Sequence, residues 1–184
     1  MSFLKKTYCR PLLRPEYAEI GVSRDGDTWR IVLAQPLLSN NLGDWRAAGK
    51  GVLRLVNVAR AEPRSCGSRR FDAAPPVAWN EKLAAAAFVH SQDMANRNYF
   101  NHAEAGGSLV GDRARQQGYN WRRIGENIAA GQGSVQQVVA GWLSSPGHCA
   151  NLMAREFADM GAAYALNGKS DATIYWTQVF GTQR

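Results

Sequence analysis

Apolar residues recur at helical spacing in several stretches of the chain and alternate in others, and glycine, proline and small capping residues mark the ends. Val52, Leu55, Val56 and Ala59 share one face of a helix predicted over about 45–61, which Pro63 and Gly67 terminate. The stretch from Phe71 to Val77, carrying Pro75 and Pro76, is an extended linker. Asn80 then caps a helix running to about 97 through Leu83, Ala87, His90 and Met94. A short helix over Arg113–Gln117 is closed by Gly118. Ser134 and Gln137 have capping-box spacing ahead of Val138, Val139, Trp142 and Leu143, and Pro146-Gly147 is expected to stop that helix and turn the chain. Alternating runs flank turns at Arg24–Asp27 and Asn167–Asp171 and predict two β-hairpins. Helices followed by strands, without a repeating βα alternation, place the chain in the α+β class.

The two predicted hairpins echo one another. The run Cys9–Val22 aligns without gaps on Cys149–Ala162, sharing Cys, Leu, Glu, Ala and Gly at equivalent places. Asp27–Leu33 likewise resembles Tyr175–Phe180, and Tyr8 stands where His148 stands in the second copy. Residues 1–45 are therefore a separate N-terminal hairpin segment, and 46–184 the main domain. An isolated hairpin is marginal in water, so this one is expected to extend the edge of the main sheet or cover one of its faces. Cys9 is expected as a free thiol or an intermolecular bridge.

Composition narrows the field. Hydrophobic residues at 45% and charged residues at 20% are ordinary globular values, and 184 residues can bury a sizeable core. No apolar run reaches the ~20 residues of a membrane helix. The basic residues near Met1 are not followed by the apolar segment of a signal peptide. The net charge of +7 includes clusters at Arg64, Arg69, Arg70 and at Arg113, Arg115, Arg122, Arg123. These are read as solubilising surface that can attract anionic polymers. No basic stripe with interleaved aromatics points to nucleic acid.

The candidate chemistry lies in three short segments: Phe100-Asn101-His102, Gly125-Glu126-Asn127-Ile128 and Gly147-His148-Cys149. Two of the chain's 3 histidines and one carboxylate meet in this set. Such a trio can hold a cation or relay a proton. The third, His90, repeats with the apolar face of its helix and reads as a packed structural residue. Asn127 is expected to secure its loop by bonds to backbone, and so is Asp93. Tyr119, Trp121 and Trp142 are candidates for walls of a cleft or for plain core.

The order and flanks of these segments resemble the CAP superfamily (cysteine-rich secretory proteins, antigen 5 and pathogenesis-related-1), and most closely its bacterial SCP-like extracellular branch. The resemblance covers roughly residues 50–181. It implies a three-layer α-β-α sandwich, here with an extra N-terminal β-hairpin that looks like the tail of a partial second module. It implies a cavity built from His102, Glu126 and His148. The family's second glutamate falls on Ser144 or Ser145, so the chain departs from the four-group pattern. The resemblance also implies secretion, or a periplasmic or cell-surface location, with an export signal upstream of Met1. In an oxidising compartment a Cys66–Cys149 disulfide is expected, pinning the His148 segment to the end of the first helix.

Three functions fit. The preferred one is a monomeric, non-catalytic binding protein whose His102 and His148 hold zinc or another divalent cation. Its cavity, or a surface nearby, would take a small ligand, a lipid or a cell-surface partner. The second is a metal-dependent hydrolase of peptides or cell-wall material with Glu126 as base. The missing second carboxylate and the absence of a nucleophile motif argue against it. The third is a structural or adhesion module.

Overall fold

A computed structural model of the protein describes residues 8–14 and 17–184. The chain divides into two compact units, Met1–Ser39 and Asn40–Arg184. In the first, a single helical turn α1 (Cys9–Leu12) precedes strands β1 (Glu19–Asp25) and β2 (Thr28–Ala34). The strands pair antiparallel from Glu19↔Ala34 to Asp25↔Thr28, around Gly26 at φ 56°. They form a two-stranded sheet of their own. Ile20, Val22, Trp29 and Val32 are exposed, and so is Cys9, which carries no disulfide.

The second unit opens with α2 (Trp45–Arg60), whose first turn is capped by the Asp44 carboxylate accepting from the Ala47 N–H at 2.8 Å. Its apolar stripe is buried, Val52 and Val56 completely. A small hairpin, β3 (Arg64–Cys66) and β4 (Arg69–Phe71), turns at Gly67. After the linker come β5 (Ala78–Trp79) and α3 (Glu81–Arg97), capped by Asn80 through the Lys82 and Leu83 N–H groups and closed by Asn98 in the left-handed conformation. Then follow α4 (Val110–Gln116), β6 (Trp121–Ala130), α5 (Val135–Ser144), α6 (Pro146–Met153), β7 (Asp159–Leu166) and β8 (Ile174–Gln183).

β5, β7, β8 and β6 form one sheet in that order, antiparallel except for the β5–β7 pair. Ala163 of β7 and Val179 of β8 pack with Leu83 and Ala87 of α3. On the opposite face Phe180 stacks on Phe157, and α2 lies against β7. The protein is thus the expected α+β sandwich, with helices on both faces of a sheet. The helix-to-sheet approach is close enough to demand glycine. A Cβ on Gly161 would run into the backbone of Leu83 and Ala84.

Three local expectations change. Gly125–Ile128 is not a loop but lies inside β6, because both neighbours of Glu126 pair with β8. Pro146-Gly147 does end α5, but Pro146 then occupies the first turn of α6, so the chain turns directly into a second helix that carries His148. The capping box of α5 is also shifted. Ser134 accepts from the Gln137 N–H, while the Gln137 side chain accepts from Gly133 rather than from Ser134.

Two links fix α6 against the end of α2. The Cys66–Cys149 disulfide is formed, with a Cα–Cα distance of 5.5 Å across 83 residues of sequence. Beside it the fully buried Arg60 guanidinium donates to the carbonyls of Pro75 (2.8 Å), Leu152 (2.6 Å) and Ala154 (3.0 Å). These bonds satisfy the chain as it leaves α6. Replacing both Cys66 and Cys149 by serine is expected to lower the free energy of urea unfolding by about 2–5 kcal/mol. Gly161→Ala is expected to cost about 3 kcal/mol or more, because backbone rather than a flexible side chain is in the way. Gly21→Ala, at the equivalent position of the N-terminal hairpin with nothing within 4 Å, should fall within about 0.5 kcal/mol of the parent in the same assay.

Candidate functional site

Strand β6 is an edge strand of the sheet, and alternation along it sends successive side chains to opposite faces. Glu126 is paired with Val179, so it points to the α3 face. There it is 7% exposed and fully engaged. Its Oε2 accepts from Arg113 Nη2 at 2.6 Å, and its Oε1 accepts from His102 Nδ1 at 2.8 Å. His90 of α3 is completely buried, donates Nε2–H to the Asn101 carbonyl at 3.0 Å, and stands 4.0 Å from the same Oε1. A carboxylate only accepts, so His102 must carry its proton on Nδ1. In the neutral imidazole Nε2 is then the atom that keeps a lone pair, on a side chain that is 52% exposed.

Asn127, the next residue, points to the other face. Its amide donates to the His148 carbonyl at 3.2 Å and to Gln178 Oε1 at 3.0 Å. Asn151, one turn beyond His148 on α6, donates to Asn127 Oδ1 and to the Glu126 carbonyl. Trp142 donates its indole N–H to the Ile128 carbonyl. These donors cover the outward carbonyls of the edge strand and tie α5 and α6 to it. His148 therefore arrives beside β6 through its backbone, leaving its ring in the wall of a groove of about 570 Å³. Tyr99, Phe100, Ile128, Trp142, Ser145 and Tyr175 also line that groove, whereas His102 and Glu126 do not. Burial first, and the neighbouring His102 second, push the His148 imidazole below its ordinary value. Its neutral form is the one that can ligate.

The sequence-predicted residues divide accordingly. His102 and Glu126 are in direct contact, and His148 lies within electrostatic reach of His102. The sequence places Arg113 among the surface arginines, yet its side chain is 1% exposed and is bonded to Glu126. A seven-residue helix is too short for periodicity to mark one arginine as inward-facing. His90 is packed as expected, but it also backs the site from the helix layer. Asp93 does not bond backbone; it accepts from the Tyr99 hydroxyl at 2.6 Å and pairs with Arg97. Ser144 donates to Gly141, and Tyr119 and Trp121 belong to the core cluster under α3 rather than to the groove.

Among the described residues, no three His, Cys, Asp or Glu side chains converge as a metal-ligand group. The imidazoles of His102 and His148 are the side chains that would supply donors to a cation, and Glu126 holds the first of them through Nδ1.

Residues 53–180 match the model of the CAP cysteine-rich secretory protein family. The Bacillus subtilis (strain 168) protein YkwD is 32% identical over 127 residues, covering 69% of this chain and 45% of that protein. The membrane protein YlbC of the same organism is 31% identical over 112 residues, covering 61% and 30%. The chain thus spans less than half the length of these curated relatives. Among solved structures, an extracellular protein containing an SCP domain from Bacillus anthracis str. Ames is similar with a TM-score of 0.64 at 28% identity. That match covers 84% of this chain and 47% of the other.

The buried His90 makes stability depend on pH. Burial is the largest cause lowering its pKa from 6.5, and the Arg113 charge adds to it against the opposing Glu126 and Asn101. The unfolded chain then binds a proton that the native chain refuses. Stability is complete above the unfolded value and falls as pH drops below it toward the folded value. The slope approaches about 1.4 kcal/mol per pH unit. Urea unfolding of the parent and His90→Gln at about pH 7 and about pH 5.5 should show the smaller loss in the variant.

Proposed function

The chain belongs to the CAP cysteine-rich secretory protein family, and from that premise we propose an extracellular binding protein in which His102 and His148 hold a divalent cation without turnover. The observation that carries this reading is the 2.8 Å bond from His102 Nδ1 to Glu126. It leaves Nε2 as the atom that would ligate. Imidazole donors with open positions suit zinc. A small organic ligand or lipid would occupy the adjoining groove, whose wall includes His148 together with Phe100 and Tyr175. The extracellular assignment draws on the similar Bacillus anthracis protein and on the Cys66–Cys149 disulfide, a bond that persists in oxidising compartments.

Turnover is disfavoured on geometric grounds. A general base needs an oxygen within reach of the attacking water. Both Glu126 oxygens are occupied, one by Arg113 and one by His102, in a side chain that is 3% exposed. Ser144 donates its hydroxyl to the Gly141 carbonyl rather than to a histidine.

Isothermal titration of zinc is expected to give saturable heat with the parent protein and none with His148→Ala. Equal heats from both would end the metal reading. Assays on casein and on peptidoglycan, with and without zinc, should show no turnover. Zinc-dependent cleavage lost in Glu126→Gln would replace the binding function by a hydrolase.

A further inference from the structure

Arg113 reaches both partners of the His102–Glu126 pair from one guanidinium. Nη2 donates to Glu126 Oε2 at 2.6 Å and to the backbone carbonyl of His102 at 3.2 Å. Nη1 donates to the Ser108 carbonyl at 3.1 Å and stands 3.8 Å from Glu104 Oε1. The side chain is 1% exposed, on the short helix α4. Its Nε has no hydrogen-bond partner, so the group is oriented for these contacts at the expense of one donor.

From this geometry we infer that Arg113 is the positioning residue of the site: it fixes the tautomer and aim of His102 by holding the carboxylate and the histidine backbone together. The inference rests on the proposed role of His102 as a ligand, but its central claim concerns the chain without metal. With Oε2 committed to Arg113, the carboxylate cannot rotate and Oε1 stays directed at His102 Nδ1. With the His102 carbonyl on the same nitrogen, the loop cannot withdraw its ring from Oε1. The outcome is an imidazole with its proton on Nδ1 and its Nε2 lone pair outward, prepared before any cation arrives. A fork of planar donors can span two acceptors on different elements, which a single ammonium does with poorer geometry.

The test is nitrogen-15 NMR of the histidine side chains in the full chain without metal, read for the parent, Arg113→Met and Arg113→Lys, followed by zinc titration of each. The parent should show His102 as the Nδ1–H tautomer. Arg113→Met should move His102 toward the Nε2–H form while the His148 signals stay in place, and should weaken zinc binding by about 10–100-fold. Arg113→Lys should lie between the two. A purely structural arginine would lower the unfolding temperature but leave the His102 tautomer of the folded protein unchanged. That result in both variants overturns the inference. If Arg113→Met does not fold, Arg113→Lys decides alone, a parent-like tautomer refuting and a mixed one supporting. A parent that takes no zinc yet loses its tautomer on substitution would refute the metal reading and leave the positioning role standing.

Discussion

The approach of α3 to β7 governs what the rest of this structure can do. Gly161 allows the helix backbone at Leu83 and Ala84 to rest directly on the strand, and Ala87 and Ala163 continue the small contact surface. At that separation His90, two turns along the helix from Leu83, comes within 4.0 Å of Glu126 across β8. A larger residue at the contact would lift the helix and the His102 loop that leaves its end. The polar cluster would then open to water, where a carboxylate and an imidazole attract each other weakly. Close packing is thus the condition for the polar site.

The site also depends on the strictness of strand alternation. Glu126 and Asn127 are neighbours in sequence, yet they serve different layers. Glu126 collects Arg113, His102 and His90 on the α3 face, and Asn127 collects the His148 backbone, Asn151 and Gln178 on the α6 face. A slip of one residue in the β6–β8 register would exchange them. The edge position of β6 lets the two arrangements approach, because a strand with no outer neighbour leaves room for helices and loops to fold around it. The disulfide and Arg60 hold α6 at the height where His148 meets that edge. The rigidity here is built from backbone-directed bonds, which fix position irrespective of what the ring of His148 binds.

The two hairpins contrast in the same terms. β1–β2 and β7–β8 share a pattern, and in each a helical turn bearing the aligned cysteine precedes the first strand. The second is packed on both faces, and a Cβ on its glycine would meet helix backbone. The first carries its apolar residues exposed, and its glycine touches nothing. Similar local sequences therefore have different energetic weight, since burial and not strand propensity supplies most of a sheet's stability.

Much was legible in the chain itself. Helical periodicity with caps at Asn80 and Ser134 placed α3 and α5 almost to the residue, because a cap is a local bond between a side chain and nearby N–H groups. The ordered His, Gly-Glu-Asn and Gly-His segments pointed to the family, and the cysteines to their bridge. Tertiary structure alone decided the rest. Whether Gly125–Ile128 is loop or strand depends on β8, some fifty residues away. That Arg113 is buried while Arg115 stacks over Trp121 at the surface depends on a carboxylate reached only after folding. Local bonds are written in adjacent residues; the pairing of a charge with its counter-charge belongs to the packed whole, and it is there that His102 acquires its orientation.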